Sequence, residues 1–225
     1  MTYTSLRAGR GPNSLVVKGL GVLGDVRGRA LDIGAGPLND TFFLLAAGFF
    51  VDAVDTDPCT VSLAATQRHP RLKVVHADVR DLEIAAGAYS FMVAIHVLPF
   101  LPRADVARLA EAMTRGLAPG GVLCCTFFGP EDVWAGRRHG RTSLRGAAAS
   151  ALFPWLEPVV LREERYDGTD ARDEPKHWHV VRCIFRKPEE PVTVAERRSE
   201  NPPSAGDAPA RAGSRDRPPP ATRPS

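Results

Sequence analysis

From residue 29 onward the chain alternates short, continuously apolar runs with stretches whose apolar residues recur at helical spacing, and few folds accommodate that pattern. Residues 29–33, 49–54, 72–76, 89–96 and 122–128 read as strands. Between them, 39–47 reads as a helix stopped by Gly48, 58–68 as a helix opened by Pro58, and 102–117 as the clearest helix. In that last segment Val106, Leu109, Ala110, Met113 and Leu117 fall on one face. A small-residue helix is expected at 143–152. Two further strands, 158–163 and 178–186, have no long helix between them and read as an antiparallel pair. Strands that are apolar on both faces belong to a parallel sheet covered by helices on both sides. Right-handed crossovers then give an α/β, doubly wound, mostly parallel seven-stranded sheet with an antiparallel last strand. Such sheets bind ligands beyond the carboxyl ends of their strands, so the residues following strands one to five carry the functional information.

The composition bounds the domain. Of the 20 prolines, nine lie in residues 187–225, which contain no aromatic residue and a net charge of only +1. That segment is expected to be a disordered Pro/Arg-rich tail, too poor in apolar surface to offset the entropy of ordering it. The expected organisation is an N-terminal arm or helix over 1–28, a ligand-binding domain over 29–186, and the tail. The formal charge of the whole chain is +3, with no concentrated basic stretch of the kind that phosphate neutralisation demands, so nucleic acid is not the expected partner. No run approaches the roughly 20 apolar residues of a membrane helix, and the N-terminus lacks the apolar core of a signal peptide. The four cysteines (59, 124, 125 and 183) show no CxxC spacing, and a reducing, cytoplasmic location is expected.

The sharpest local signal is Asp32-Ile-Gly34-Ala35-Gly36 directly after the first strand. Glycines there let backbone approach a ligand, and the following helix offers its amino-terminal amides. A dinucleotide fingerprint would need a small third residue where this frame has Asn39, and Asp32 would aim a carboxylate at the pyrophosphate. A nucleoside bearing an ammonium group suits Asp32 better. At the second strand end Asp55, followed by Thr56, is placed to accept from ribose hydroxyls, while Asp57 before Pro58 reads as a helix cap. After the third strand, Asp78 with the Val79 amide is placed to pair with an adenine edge.

With these residues in order, the chain resembles the class I S-adenosylmethionine-dependent methyltransferases over roughly residues 29–186. Asp32, Gly34 and Gly36 match the family's D/E-x-G-x-G, Asp55 its strand-two acid and Asp78 its acid after strand three. The stretch containing Ile95 and His96 is similar to its segment after strand four, and Leu117-Ala-Pro119-Gly120-Gly121 to its turn before strand five. Residues 126–134 and 176–180 look like the small-molecule, tellurite-resistance-type branch. Two positions depart from the pattern: Leu38 replaces a common third glycine, and Ser90 an acid early in strand four. The resemblance implies a Rossmann-like fold, S-adenosylmethionine as cofactor, and in-line transfer of its methyl group to a small-molecule acceptor.

A sulfonium is already activated, so positioning the acceptor is most of the task, and a base matters only where the acceptor must lose a proton. Candidates for that base are His96, His177 and His179. Phe128, Trp134 and His177 are candidate walls of the acceptor pocket, while Phe127 or Phe128 must face the core. Arg7, Arg10 and Tyr3 precede the fold and are placed to close over the cofactor. His179 and Cys183, four residues apart on an extended strand, span roughly 13 Å, too far for one ion, so no metal site is expected. The alternatives are an NAD(P)-dependent oxidoreductase on a similar sheet, and a non-catalytic relative that binds the nucleoside or a protein partner.

Overall fold

The computed structural model describes residues 3–135 and 141–189; the expected tail from residue 190 on lies outside the described residues. The strands are β1 (Arg29–Ile33), β2 (Phe50–Asp55), β3 (Leu72–His76), β4 (Tyr89–Ala94), β5 (Leu117–Phe128), β6 (Glu157–Thr169) and β7 (Pro175–Arg186). They form one seven-stranded sheet in the order β3-β2-β1-β4-β5-β7-β6. The first five pair in parallel, and β7 runs antiparallel to both β5 and β6. The order reverses between β1 and β4, so the loops after these two strands diverge to opposite faces and leave a crevice.

Helices α1 (Tyr3–Arg7), α2 (Ser14–Leu23), α3 (Asn39–Ala46), α4 (Pro58–Thr66), α5 (Arg103–Gly116) and α6 (Gly146–Ser150) flank the sheet. On one face α5 and α6 bury Val106, Met113 and Ala149 with Leu31, Met92, Phe127 and Phe185. On the other, α2 and α3 bury Val16, Leu44 and Leu45 with Phe91, Val93 and Cys124. Asp57 caps α4 by accepting from the Cys59 amide at 2.9 Å, with Pro58 in the first turn, as the sequence indicates. Helix α2 is an integral part of the second layer. Its Gly19 is required because a Cβ there would run into the Cys124 sulfur.

Two elements differ from the sequence reading. Pro119-Gly120-Gly121 lies inside β5, as a kink at which its register with β4 shifts between Tyr89 and Phe91. The β6–β7 hairpin is much longer than expected, with paired residues running from Glu157–Arg186 to Thr169–Pro175. The outer half of β6 is exposed on both faces, so no apolar periodicity announces it.

Candidate active site

Beyond the carboxyl ends of β1, β2, β4 and β5 lies a cavity of about 700 Å³, a size that holds a small ligand. Its first wall is the glycine turn. The Gly34 and Ala35 amides donate to the Val54 carbonyl at 2.8 and 3.1 Å, tying the turn to β2. Gly34 has φ +70°, and a Cβ there would press on the Val97 side chain at 2.8 Å, so both backbone and space demand glycine. Leu38 is also left-handed, with φ 60° and ψ 18°, where the related families place a third glycine. That conformation costs a branched residue roughly 1–2 kcal/mol. Full burial of the Leu38 side chain beside Ala35 and Ala53 offsets the strain, since burying a leucine contributes about 1.5–3 kcal/mol. The loop therefore keeps its glycine-type course.

Three carboxylates line this end: Asp32, Asp40 and Asp55. Asp32 is buried, accepts from the Thr41 hydroxyl at 2.6 Å, and is pushed up to about 7 by burial and by neighbouring Asp40. Burial likewise raises Asp40, which accepts the Asn13 amide at 2.6 Å. Asp55 uses both oxygens, accepting the Gly36 amide at 2.7 Å and the Asp57 amide at 2.8 Å. It clamps the two loops to each other.

Ile95 and His96 follow β4 and line the middle of the cavity. His96 sits at φ 53°, fixed by its amide donating to the Thr126 hydroxyl at 2.8 Å. Its Nδ1 is buried with no hydrogen-bond partner among the described residues. Burial, reinforced by the charges of Arg182 and Lys176, pushes the imidazole down to about 4, so it is neutral near pH 7.

The far end is aromatic. Phe128 turns into the cavity while Phe127 packs in the core, which resolves the alternation left open by the sequence. Trp134, Trp178, Phe100 and Tyr166 join it, with the Phe128–Trp134 and Trp134–Trp178 centroids 5.9 and 5.6 Å apart. Arg7, Arg10 and Arg141 also line the cavity. Arg7 bridges the molecule: its carbonyl accepts from the Asn39 amide nitrogen at 3.0 Å and its guanidinium donates to the Asp170 carbonyl at 2.6 Å. The end of α1 is thereby tied to both the α3 start and the hairpin tip.

Several expected residues stand elsewhere. His177 and His179 do not line this cavity, because the β7 side chain that faces it is the alternate one, Trp178. His177 is half-exposed, with its Nδ1 2.7 Å from Asp167. His179 is fully buried, with Nε2 3.1 Å from Glu163 and Nδ1 accepting the Glu131 amide at 3.3 Å. A Cβ on Gly129 would drive into the His179 ring. Gly129→Ala is accordingly expected to cost about 2 kcal/mol, read as a lower thermal midpoint; an unchanged midpoint would show that the ring yields freely. Thr56, Asp78 and Val79 lie outside the cavity wall. The Asp78 carboxylate accepts from Arg80, which holds it below the usual carboxylate range. The sequence reading passed over Trp178, Phe100, Tyr166, Arg141, Asp40 and the buried Lys176–Asp132 pair. Strand parity was the available signal for Trp178, and β7 blurs it by carrying polar and apolar residues on both faces.

Comparison with known proteins agrees with this geometry. A methyltransferase-domain family model matches residues 30–121. Hemagglutinin 1 of Eikenella corrodens is 28% identical over 171 residues, covering 71% of this chain and 55% of that protein. The chain thus spans about half the length of that curated relative. Among solved structures, TehB from Haemophilus influenzae superposes with a TM-score of 0.66 at 17% identity, covering 78% of this chain and 62% of TehB. The 1,6-didemethyltoxoflavin-N1-methyltransferase of Burkholderia thailandensis, bound to its namesake compound and S-adenosylhomocysteine, gives 0.61 at 20% identity, covering 77% and 76%. At these identities the structures share the fold. The family match is more specific, since it opens on β1 and closes inside β5 and so takes in the segments that bring Asp32, Asp40 and Asp55 to the cavity; over residues 30–121 this chain is similar to methyltransferase domains.

Proposed function

We propose that this domain moves the methyl group of S-adenosylmethionine to a small organic acceptor, with both molecules held in the one cavity. The observation that carries the reading is the division of that cavity into an acidic, glycine-walled end and an aromatic, arginine-bearing end, with His96 and Ile95 between them. In this reading Asp32, Gly34, Ala35 and Gly36 receive the amino-acid part of the cofactor. Asp55, with Thr56 beside it, receives the ribose, and Asp78 and Val79 receive the adenine once Asp78 gives up part of its hold on Arg80. The cofactor supplies an activated methyl group; the protein supplies alignment of the acceptor with the carbon–sulfur bond. His96 acts by orienting the acceptor, since an imidazole held near 4 is a weak proton acceptor at neutral pH. The absence of a described helix long and apolar enough to cross a membrane and the four free cysteines accord with a cytoplasmic setting.

The test is direct. S-adenosylhomocysteine is expected to raise the thermal midpoint of the full chain and NADH to leave it unchanged, and metabolite extracts incubated with enzyme and cofactor should yield a product heavier by one CH₂. Stabilisation by NADH alone would sink the reading.

Asp32 adds a pH signature. Its carboxyl, raised to about 7 by burial, is neutral in acid and ionised in base, and the cofactor's ammonium prefers the ionised form. Affinity for S-adenosylhomocysteine should therefore rise with pH through 7 and weaken up to about tenfold per unit below it, with release of a proton on binding. Calorimetry in two buffers of different ionisation enthalpy measures that proton. A pH-independent Kd between 6 and 8 with no proton release would remove Asp32 from the ammonium site.

A further inference from the structure

We infer that the acceptor is a planar aromatic anion, an arene bearing a carboxylate or an ionised hydroxyl; this deepens the methyltransferase reading and rests on it. The shape comes from the rings. Phe100 meets Phe128 edge-on at 5.4 Å, Trp134 meets Trp178 at 5.6 Å, and Tyr166 stacks on Trp178 at 6.3 Å with 18° between planes. Phe100 and Tyr166 remain 40% and 46% exposed, so ring surface is left for a flat apolar body to cover.

A cluster of aromatic faces ordinarily selects a cation. Here the cation is built in. Lys176 is 5% exposed, and its ammonium lies 3.3 Å from the Trp178 centroid, 4.3 Å from Trp134 and 4.7 Å from Phe128. Both oxygens of the buried Asp132 accept from it at 2.8 Å, which fixes it there. The electron-rich faces are already engaged, and a second cation entering the cage would meet the first at short range in a medium of low dielectric.

Asp132 balances Lys176 within the cage, and the cationic side chains on the cavity wall itself are Arg7, Arg10 and Arg141. Arg141 lies over Phe100 at 4.9 Å and over Trp134 at 5.9 Å. Arg7 reaches the hairpin through a carbonyl and not a carboxylate, so that bond leaves its charge uncancelled. Beyond burial, Arg182, Lys176 and Arg7 disfavour the protonated form of His96 against a smaller opposing pull from Asp132. The three carboxylates of the cavity wall stand at the ends of β1 and β2 and in the first turn of α3, where the cationic cofactor sits in this reading. An anion therefore finds compensation at the aromatic end and a cation does not.

The chemistry then balances without a base. An oxygen anion of the arene attacks the methyl carbon, the carbon–sulfur bond breaks, and its electron pair stays on sulfur. Oxyanion and sulfonium become a methyl ether or ester and a neutral thioether, and no proton moves.

The experiment is a calorimetric titration of the full chain, saturated with S-adenosylhomocysteine, by three probes. Naphthoate is flat and anionic, naphthylmethylammonium is flat and cationic, and cyclohexanecarboxylate is anionic and not flat. Naphthoate is expected to bind at least about tenfold more tightly than either of the others. Arg141→Gln should weaken naphthoate about tenfold and leave S-adenosylhomocysteine unchanged. The double variant Asp132→Asn/Lys176→Met empties the cage of its cation and should raise affinity for the ammonium probe about tenfold. Equal or tighter binding of the ammonium or the cyclohexane acid to the wild-type chain, with the cofactor product still bound, overturns the inference alone. Failure of S-adenosylhomocysteine to bind overturns the underlying reading, and the inference with it. Should the double variant not fold, the ranking of probes on the wild-type chain decides.

Discussion

Asp132→Ala is expected to lower the unfolding free energy by about 3–5 kcal/mol, among the largest losses available to a single substitution in this chain. The carboxylate is buried and accepts four hydrogen bonds: two from the Lys176 ammonium, one from the Trp134 amide at 2.9 Å and one from the His179 amide at 3.1 Å. Alanine leaves the ammonium uncompensated beneath three rings and two amides without their acceptor, and each loss carries a desolvation cost that folding no longer offsets. Burial already pulls Lys176 below the ordinary lysine range, against the opposing pull of Asp132, so removing the acid lowers it further and part of the cost is met by deprotonation. The double variant Asp132→Asn/Lys176→Met is expected to recover part of the loss, because the asparagine oxygen still accepts from one of the two backbone donors and a thioether needs no partner. Urea unfolding of the wild-type chain and the two variants measures the loss and its recovery. A cost below about 1 kcal/mol for Asp132→Ala would mean that water reaches the pair.

How much of this was legible beforehand follows from where the sequence has a period. Arg29–Ile33 and Leu72–His76 are bounded as the apolar runs are, and the antiparallel pair follows from the missing helix between its strands. The acidic end of the cavity was readable because each residue there is forced by a local rule: Gly34 by its positive φ, Asp57 by its cap, Asp55 by its place at a strand terminus. The aromatic end obeys no local rule. Phe100 sits in a short 3-10 turn, Trp134 in a loop, and Tyr166 and Trp178 on a ribbon whose outer strand, β6, is largely exposed. They meet only because β7 enters the sheet beside β5, a long-range pairing that carries no sequence period. Placing His177 on the pocket, one residue off the observed Trp178, is the error that a period of two makes when both faces of the strand mix polar and apolar residues.

Asp55→Ala is expected to weaken S-adenosylhomocysteine binding roughly a hundredfold, about 3 kcal/mol. In the reading above its carboxylate accepts from the ribose, and hydrogen bonds to a charged acceptor contribute about 1.5–3 kcal/mol each. The same carboxylate also holds the Gly36 and Asp57 amides, so part of the loss would come from a glycine turn that is no longer preset against β2. Asp55→Asn separates the two contributions. Its one remaining oxygen keeps one amide or one hydroxyl, its NH₂ group faces a donor where the acid faced an acceptor, and an intermediate loss of about tenfold is expected. Thermal unfolding without ligand supplies the control: these loops are partly exposed, water can take over the freed amides, and stability should fall by no more than about 1–2 kcal/mol. A hundredfold loss of affinity beside so small a loss of stability would assign Asp55 to the ligand. An unchanged Kd beside the same loss of stability would leave it a loop clamp only, and the ribose would then have to find its acceptor elsewhere on the cavity wall.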